Sequence, residues 1–156
     1  MIAAPDPATF YPLVWEIVRQ VPYGVATTYG QIASMIPAPA GIAENDFARL
    51  GPKWVGEAMN AVSFPELEGR PTAVGVPWWR VINAQGGISM PANSTAAAEQ
   101  RARLEAEGLH FDANEHLDLA RVGWVGPAPD WRAARGLLAP KALRQPPDTP
   151  QQIALF

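Results

Sequence analysis

The stretch that decides the fold is Gly75-Val76-Pro77-Trp78-Trp79-Arg80-Val81-Ile82-Asn83, in which two adjacent tryptophans and an arginine follow a proline and lead into a short β-prone run. A tryptophan pair taken alone most often fills a core, because indole contributes a large apolar area while its N–H requires a hydrogen-bond partner. The rest of the chain has to show whether this pair has a more specific role.

Composition limits the classes of protein that fit. The chain has 156 residues, 48% of them hydrophobic, which is enough for one domain with its own core. A net charge of −3 argues against a generally basic nucleic-acid-binding surface but leaves a local one open. The absence of cysteine excludes disulfides, thiolate metal sites and a cysteine nucleophile. Because the sequence shows neither a signal-peptide pattern nor an apolar run of membrane-spanning length, we expect a soluble, monomeric, cytoplasmic protein, nucleoid-associated if it is bacterial.

Periodicity predicts three helices in the first half of the chain. The first covers residues 8–21, with Pro12 in its first turn. Thr27 and Thr28 offer capping hydroxyls, with Gln31 three residues after Thr28 as in a capping box, for a short second helix from about Tyr29 to Met35. After a long loop from Pro37 to Pro52, with at most one helical turn inside it, residues 53–61 form a slim third helix. A slim helix after a short one is typical of a helix-turn-helix, although an ordinary packed helix pair gives this pattern more often.

The second half is predicted to combine one strong helix with two small hairpins. Residues 80–83 would pair with 87–89, and residues 109–111 with 116–119. Ser94 or Thr95 caps a helix that runs to Glu107 and is ended by Gly108. The Pro- and Ala-rich tail, Gly126 to Phe156, is expected to be extended apart from one helical turn around residues 131–138.

The remaining residues give little indication of an enzyme active site. His110 and His116 flank a presumed turn without further ligands, so we predict neither a metal site nor a cofactor. The chain has no Gly-rich phosphate loop, and none of its serines lies in a nucleophile elbow.

Four segments carry a specific resemblance: Tyr29-Gly30-Gln31-Ile32-Ala33, Val55-Gly56-Glu57-Ala58-Met59, the tryptophan stretch, and Glu99 to Gly108. In this order and spacing, over residues 8–125, they resemble the DNA-binding domain of O6-alkylguanine-DNA alkyltransferases, and most of all the alkyltransferase-like proteins. The resemblance implies a mainly α, winged-helix-like domain with a helix-turn-helix and small β hairpins. A flexible lead, residues 1–7, would precede it, and a Pro/Ala-rich extension, residues 126–156, would follow.

The resemblance also implies a function. In the alkyltransferases the motif is Pro-Cys-His-Arg and its cysteine takes the alkyl group, whereas here Trp78 stands at that position, and indole lacks the nucleophilicity of a thiolate. Alkyltransferase-like proteins share this tryptophan. The implied function is a non-enzymatic sensor that flips O6-alkylguanine out of duplex DNA and flags it for nucleotide excision repair. The alternative is a DNA- or protein-binding regulatory module on the same fold without lesion recognition, which Lys53, Trp79, Pro91, the long loop and the acidic pI favour.

Individual roles follow from the resemblance in the same way. Tyr29 would crowd the target's 3′ phosphate, and Lys53 stands where relatives have an arginine that fills the gap left by the extruded base, with Trp54 sharing that role. Trp79 replaces a histidine, which leaves its expected partner Glu107 as an ordinary helix-end carboxylate.

Two further positions complete the predicted interface. Arg80 matches the motif arginine, for which a buried hydrogen-bonding role and a DNA contact both stay open, and Pro91 stands where relatives carry Tyr or Arg facing the lesion. The predicted lesion pocket is Trp78, Trp79, Val81, Ser89 and Pro91, and the predicted DNA contacts are Thr28, Tyr29, Gln31, Lys53, Trp54, Gly56, Asn60 and Arg80. A sliding clamp is a further candidate partner, because Gln151 to Phe156 faintly resemble the peptide that binds it.

Overall fold

The computed structural model describes residues 2–62 and 75–144, and most of these residues that have regular structure are helical. The elements in chain order are α1 (Pro7–Val18), β1 (Thr27–Thr28), α2 (Tyr29–Met35), α3 (Glu44–Val62), a 3-10 helix (Trp78–Arg80), β2 (Val81–Ile82), α4 (Thr95–Ala106), α5 (Leu119–Val122) and α6 (Pro129–Ala133). The predicted mainly helical class is confirmed. Within these residues, no helix has both the length and the apolar character needed to cross a membrane.

Helix α1 starts at Pro7 because the Asp6 carboxylate caps it, accepting from the Ala8 N–H at 3.1 Å. Pro12 therefore lies in the second turn and not in the first as predicted, and its missing N–H removes one internal hydrogen bond. Trp15 is fully buried and donates its indole N–H to the Ala58 carbonyl at 2.8 Å. This bond ties α1 to α3.

Helix α2 has the predicted bounds, and the Thr28 hydroxyl caps it by accepting from the Gln31 N–H at 3.0 Å. Helix α3 corrects a prediction, because the expected loop from Pro37 to Pro52 is mostly helix and only residues 36–43 link α2 to α3. Pro52 removes one hydrogen bond, but Phe47 and Trp54 on either side of it are both buried, with ring centroids 6.1 Å apart. The contact between Phe47 and Trp54 in the core outweighs the loss of one helical hydrogen bond at Pro52.

The two strands form a parallel pair, with Thr27 opposite Val81 and Thr28 opposite Ile82. The predicted hairpin at residues 80–89 is therefore wrong, because β2 pairs with β1. Two backbone bonds close the turn that follows, from the Asn83 N–H to the Gly87 carbonyl and from the Gly86 N–H to the Asn83 carbonyl. The Asn83 side chain accepts from two backbone N–H groups inside that turn, which bends the chain too tightly for a ladder.

The second predicted hairpin is also absent from the described structure. The Asp112 carboxylate accepts from the backbone N–H groups of Asn114 and His116, at 2.8 and 3.0 Å, and so holds a turn. Helix α5 then begins at residue 119, the last residue of the strand expected at 116–119. In both places a short polar side chain satisfies the backbone locally, which competes with strand pairing.

The core has two parts that meet at the tryptophan stretch. The larger cluster lies between α1, α2 and α3, and the smaller one is Ala26, Ile82, Leu104, Leu109 and Leu117. Trp78 packs against the larger cluster and Trp79 against the smaller one. The pair therefore bridges the two parts of the core.

The start of the C-terminal tail contains the predicted helical turn, as α6, and the segment after it packs on α2. Leu137 is buried, the Leu138 N–H donates to the Met35 carbonyl at 2.8 Å, and the Lys141 N–H donates to Ser34 Oγ at 2.9 Å. Carbonyls at the end of α2 need partners, and the tail supplies one of them. The clamp-like residues 151–156 lie outside the described residues.

Candidate nucleic-acid interface

Trp78 and Trp79 occupy the 3-10 helix and are both half-buried, so neither is simple core filling. Their ring centroids lie 6.0 Å apart and the ring planes cross at 88°, the edge-to-face geometry that aromatic pairs prefer. The helix is closed by a bond from the Arg80 N–H to the Pro77 carbonyl at 3.1 Å. Each ring therefore keeps part of its surface open to a ligand.

Glu107 is the acceptor that holds this stretch in place. Its carboxylate accepts from the Trp79 indole N–H at 2.7 Å, from Arg80 Nη2 at 2.8 Å and from the Gly24 N–H at 2.8 Å. Only 6% of the Glu107 side chain is exposed. The prediction of an ordinary helix-end carboxylate is wrong, because Glu107 at the end of α4 turns inward and Trp79 supplies the N–H that a histidine was expected to supply.

The hydrogen bonds to Glu107 also set its protonation. Burial alone would raise the pKa of the Glu107 carboxyl, but donation from Arg80, Gly24 and Trp79, with the positive charge of Arg80, outweighs burial and lowers the pKa below its ordinary value. The group is therefore a carboxylate at neutral pH and keeps all three donors.

Arg80 connects three parts of the fold. Besides its bonds to Glu107, it donates to the Val21 carbonyl at 2.9 Å, and 14% of its side chain is exposed. Its guanidinium carbon lies 5.3 Å from the centre of the Trp79 ring, within cation–π range. Of the two roles that the sequence left open for Arg80, the structure shows the buried hydrogen-bonding one.

Two residues of α4 that support the pair were missed at the sequence level. Gln100 is buried and its amide donates to the carbonyls of Trp79 and Val81 at 3.1 and 2.9 Å. The Arg103 guanidinium carbon lies 4.7 Å from the Trp79 ring centre and 5.7 Å from that of Trp78. The signal was available, since residues 100, 103 and 107 share one face of α4 at three- and four-residue spacing.

Tyr29, at the start of α2, lies near one residue of the predicted lesion pocket, Ser89, and near one of the other predicted DNA contacts, Gly56. The Ser89 side chain lies close enough to influence the Tyr29 hydroxyl, and a Cβ placed on Gly56 would lie 3.9 Å from the Tyr29 ring. Burial raises the pKa of Tyr29 above its ordinary value and outweighs the lowering by Ser89. Tyr29 is therefore a neutral hydroxyl that does not repel a phosphate.

Gln31 does not lie on the surface expected to face DNA, because it is fully buried. Its amide oxygen accepts from the Thr27 hydroxyl at 2.6 Å, and its amide nitrogen donates to the carbonyls of Trp124 and Lys141 at 2.7 and 3.0 Å. Thr28 is 3% exposed and its hydroxyl caps α2. Both side chains hold α2 in place and are not free to contact DNA.

The exposed stripe of α3 contains three of the predicted contacts. Lys53 and Asn60 are exposed and Gly56 is partly exposed, at the spacing that places residues on one helix face. Trp54 is 5% exposed and packs against Phe47, so it does not share the role of Lys53 as expected. Helix periodicity turns Trp54 about 100° away from Lys53 and into the core.

The remaining pocket residues lie at different depths. Val81 is 1% exposed and belongs to the larger core cluster, so it lies beneath the tryptophans and does not line an open surface. Ser89 and Pro91 are exposed. Across residues 2–62 and 75–144, no three metal-ligating side chains are grouped.

Comparison with known proteins adds to this geometry. Residues 9–109 match the family model described as 6-O-methylguanine DNA methyltransferase, DNA binding domain. Alkyltransferase-like protein 1 of Schizosaccharomyces pombe is 38% identical over 102 residues, which are 65% of this chain and 78% of that protein. A DNA base-flipping protein of Vibrio parahaemolyticus is 30% identical over 115 residues, which are 74% of this chain and 95% of that protein.

Solved structures of similar proteins contain DNA. One is S. pombe Atl1 in complex with damaged DNA containing O6-carboxymethylguanine, with a TM-score of 0.50 and 28% identity over 75% of this chain and 95% of that chain. Another is S. pombe ATL in complex with DNA, with a TM-score of 0.52 and 30% identity over the same shares of the two chains.

Proposed function

The chain belongs to the alkyltransferase-like family, built on the DNA-binding domain of the 6-O-methylguanine DNA methyltransferases, and on that premise we propose that it recognises O6-alkylguanine in duplex DNA without transferring the alkyl group. The observation that carries the proposal is Trp78. It stands in the motif where an alkyltransferase has its cysteine, and the fold holds it half-buried beside Trp79 instead of closing it into the core.

Alkyl transfer would require a nucleophile that this chain does not supply at the motif. The reaction forms a bond from sulfur to the alkyl carbon and breaks the bond from that carbon to O6 of guanine, so it depends on a thiolate. The chain contains no cysteine, and indole has no comparable lone pair. Binding without transfer is the function that remains.

Base flipping is energetically accessible to this site. Extruding a nucleotide costs a few kcal/mol, and least where base pairing is already weakened, as at an alkylated guanine. Stacking of a base on an aromatic ring contributes about 1–3 kcal/mol. Tyr29 at the start of α2 and Lys53 on the exposed face of α3 are placed on the two helices of the helix-turn-helix, where they would act on the backbone and on the gap in the duplex.

A titration with two matched duplexes tests the proposal. At fixed salt, the protein should bind a duplex with one O6-methylguanine more tightly than the same unmodified duplex, and mass spectrometry should show no methyl group on the protein afterwards. Trp78→Ala should bring the two affinities together. Trp131→Ala is the matched control, since Trp131 is also half-buried but lies on α6, and it should keep the preference. Equal affinities for the wild-type protein would reject lesion recognition, and a protein adduct would reject binding without transfer.

We also propose that the bound lesion is passed to nucleotide excision repair, since a protein that binds without reacting leaves the lesion in the DNA. A reconstituted excision-repair incision assay on the O6-methylguanine duplex tests this step. Incision should increase when the wild-type protein is added and should not increase with Trp78→Ala. Unchanged or reduced incision would mean that the protein shields the lesion instead.

A further inference from the structure

The positive charge of this acidic protein is concentrated in one segment. Residues 119–144 carry Arg121, Arg132, Arg135, Lys141 and Arg144, which are five of the twelve Lys and Arg residues, and only Asp130 of the fifteen acidic ones. This segment begins after residue 109, where the match to the family's DNA-binding domain ends. The excess of positive charge therefore lies in a part of the chain to which that match assigns no function.

Three cations of this segment differ from the paired arginines elsewhere in having no acidic partner among the described residues. Elsewhere in the described chain arginines pair with carboxylates: Arg49 with Asp46, Arg80 with Glu107, Arg101 with Glu105 and Glu115, and Arg103 with Glu99. By contrast, Arg121, Lys141 and Arg144 are exposed, and none is paired with a carboxylate of residues 2–62 or 75–144. Within residues 2–62 and 75–144, Arg144 donates its Nε–H to the Gly123 carbonyl.

Backbone contacts place Lys141 and Arg144 along α2, and they place Arg121 beside Val122, whose carbonyl accepts from the Ala26 N–H just before β1. The tail meets the end of α2 where the Leu138 N–H donates to the Met35 carbonyl, and it meets the middle where the Lys141 carbonyl accepts from Gln31 at 3.0 Å. Arg144 then reaches Gly123, which is bridged to Ala26 just before β1. The tail thus runs antiparallel to α2, toward the end that carries Tyr29.

We propose that Arg121, Lys141 and Arg144 form a second phosphate-binding strip for the same DNA duplex, beside the helix-turn-helix. The proposal rests on the proposed function only in requiring that the chain binds duplex DNA. The first helix of a helix-turn-helix crosses the DNA backbone, so cations alongside α2 lie next to phosphates beyond those that α2 and α3 contact. Unpaired, exposed cations are suited to phosphates, because no internal ion pair has to be broken first.

The strip also explains how a protein of net negative charge can approach DNA. A chain of net charge −3 is repelled at long range by DNA unless its positive charge faces the duplex. Each phosphate contact releases condensed counterions and makes binding weaker as salt rises, by a slope of about 0.9 in log–log form for each contact. The number of cations that contact phosphate can therefore be counted by titration.

Charge removal in the full-length protein tests the strip. The variant Lys141→Gln with Arg144→Gln should lower the slope of log affinity against log salt by about 2, and adding Arg121→Gln should lower it by about 3. The affinities for the unmodified and the O6-methylguanine duplex should fall by the same factor, since phosphate contacts carry no information on the base. Arg135→Gln is the matched control, because Arg135 lies in the same segment but pairs with Glu16 at 2.5 Å, and it should leave the slope unchanged.

A second variant distinguishes the loss of phosphate contacts from a loss of folding stability. Lys141→Gln with Arg121→Gln keeps the bond from Arg144 to Gly123, and its thermal midpoint should match that of the wild-type protein. A slope equal to the wild-type slope in this variant and in the triple variant would overturn the strip. If the wild-type protein binds both duplexes equally, lesion recognition fails, but the slope on the unmodified duplex still decides the strip.

Discussion

At position 79 an indole N–H donates to Glu107 at 2.7 Å, where the family motif led us to expect a histidine. The exchange keeps a donor to the carboxylate and adds an aromatic face within cation–π range of Arg80 and Arg103. A histidine can relay a proton, whereas an indole cannot, because its nitrogen donates only. Position 79 therefore supports a binding site and not an acid–base one.

Replacing Glu107 should destabilise the protein in a pH-dependent way. Glu107→Gln leaves the buried Arg80 without its counter-charge, which should cost about 3 kcal/mol or more at neutral pH. Because the pKa of Glu107 is lowered in the folded protein, its contribution is present above the ordinary pKa of a glutamate, about 4.3, and is lost as pH falls through the folded value. Urea unfolding of both proteins between pH 3 and 7 measures the difference, which should shrink at the acidic end. A difference that stays constant with pH would contradict the role of the carboxylate charge.

The exchange Lys53→Arg should strengthen lesion binding. A guanidinium can stack in the gap left by the extruded base, whereas the lysine ammonium cannot, and a cation–π contact contributes about 0.5–2 kcal/mol. The ratio of affinities for alkylated and unmodified duplex should therefore rise by about 2- to 30-fold. Lys141→Arg adds the same group on the tail beside α2, where we propose a phosphate contact and no contact with the gap, and it should leave the ratio unchanged. A ratio that is the same in Lys53→Arg as in wild type would show that residue 53 does not reach the gap.

At the scale of elements, α2 is positioned by a side chain that the sequence suggested for DNA contact. Gln31 donates to carbonyls of two later segments, those of Trp124 and Lys141, and so joins the helix-turn-helix to the C-terminal part of the chain. Packing also outweighs local preference in α3, because this helix continues through Pro52. It approaches α2 closely at Gly51, where a Cβ would lie 3.1 Å from that of Ala33.

Replacing Gln31 should loosen the contact between α2 and the tail. Gln31→Leu leaves the buried Trp124 carbonyl, the part-buried Lys141 carbonyl and the Thr27 hydroxyl without their partner. Each buried unsatisfied group costs about 1–3 kcal/mol. Hydrogen exchange at the Leu138 N–H, which bonds to Met35, should accelerate, and the free energy of unfolding should fall by at least about 2 kcal/mol. Ser34→Ala removes only the bond to the Lys141 N–H and should have a smaller effect. Equal effects of the two variants would contradict the central position of Gln31.

At the scale of the whole molecule, the described contacts continue well past residue 125, the boundary predicted for the DNA-binding domain. Leu137 is buried in the larger core cluster, and Trp131 packs against the same cluster. Where an independently folding unit ends is still a prediction, and two shortened chains test it.

A chain ending at residue 144 should unfold near the wild-type temperature, whereas a chain ending at residue 136 should unfold at a lower one. The shorter chain loses the burial of Leu137, for which core truncations of leucine suggest about 2–5 kcal/mol, and the bonds of the tail to Met35, Ser34 and Gln31. For a chain of this length, each kcal/mol corresponds to about 2–4 °C in the thermal midpoint. Equal midpoints for the two shortened chains would place the boundary before residue 137.

The sequence by itself determined the helices with clear periodicity and caps, the family, and the loss of the nucleophile at Trp78. These properties depend on neighbours in the chain or on the identity of one residue, so they can be read locally. Tertiary structure alone decided that β2 pairs with β1, that α3 continues through Pro52, that Gln31 and Trp54 face inward, and that Glu107 accepts from Trp79 and Arg80. Each of these depends on a partner many residues away, and the free energy of burying and pairing such groups exceeds the local preferences that a sequence pattern records.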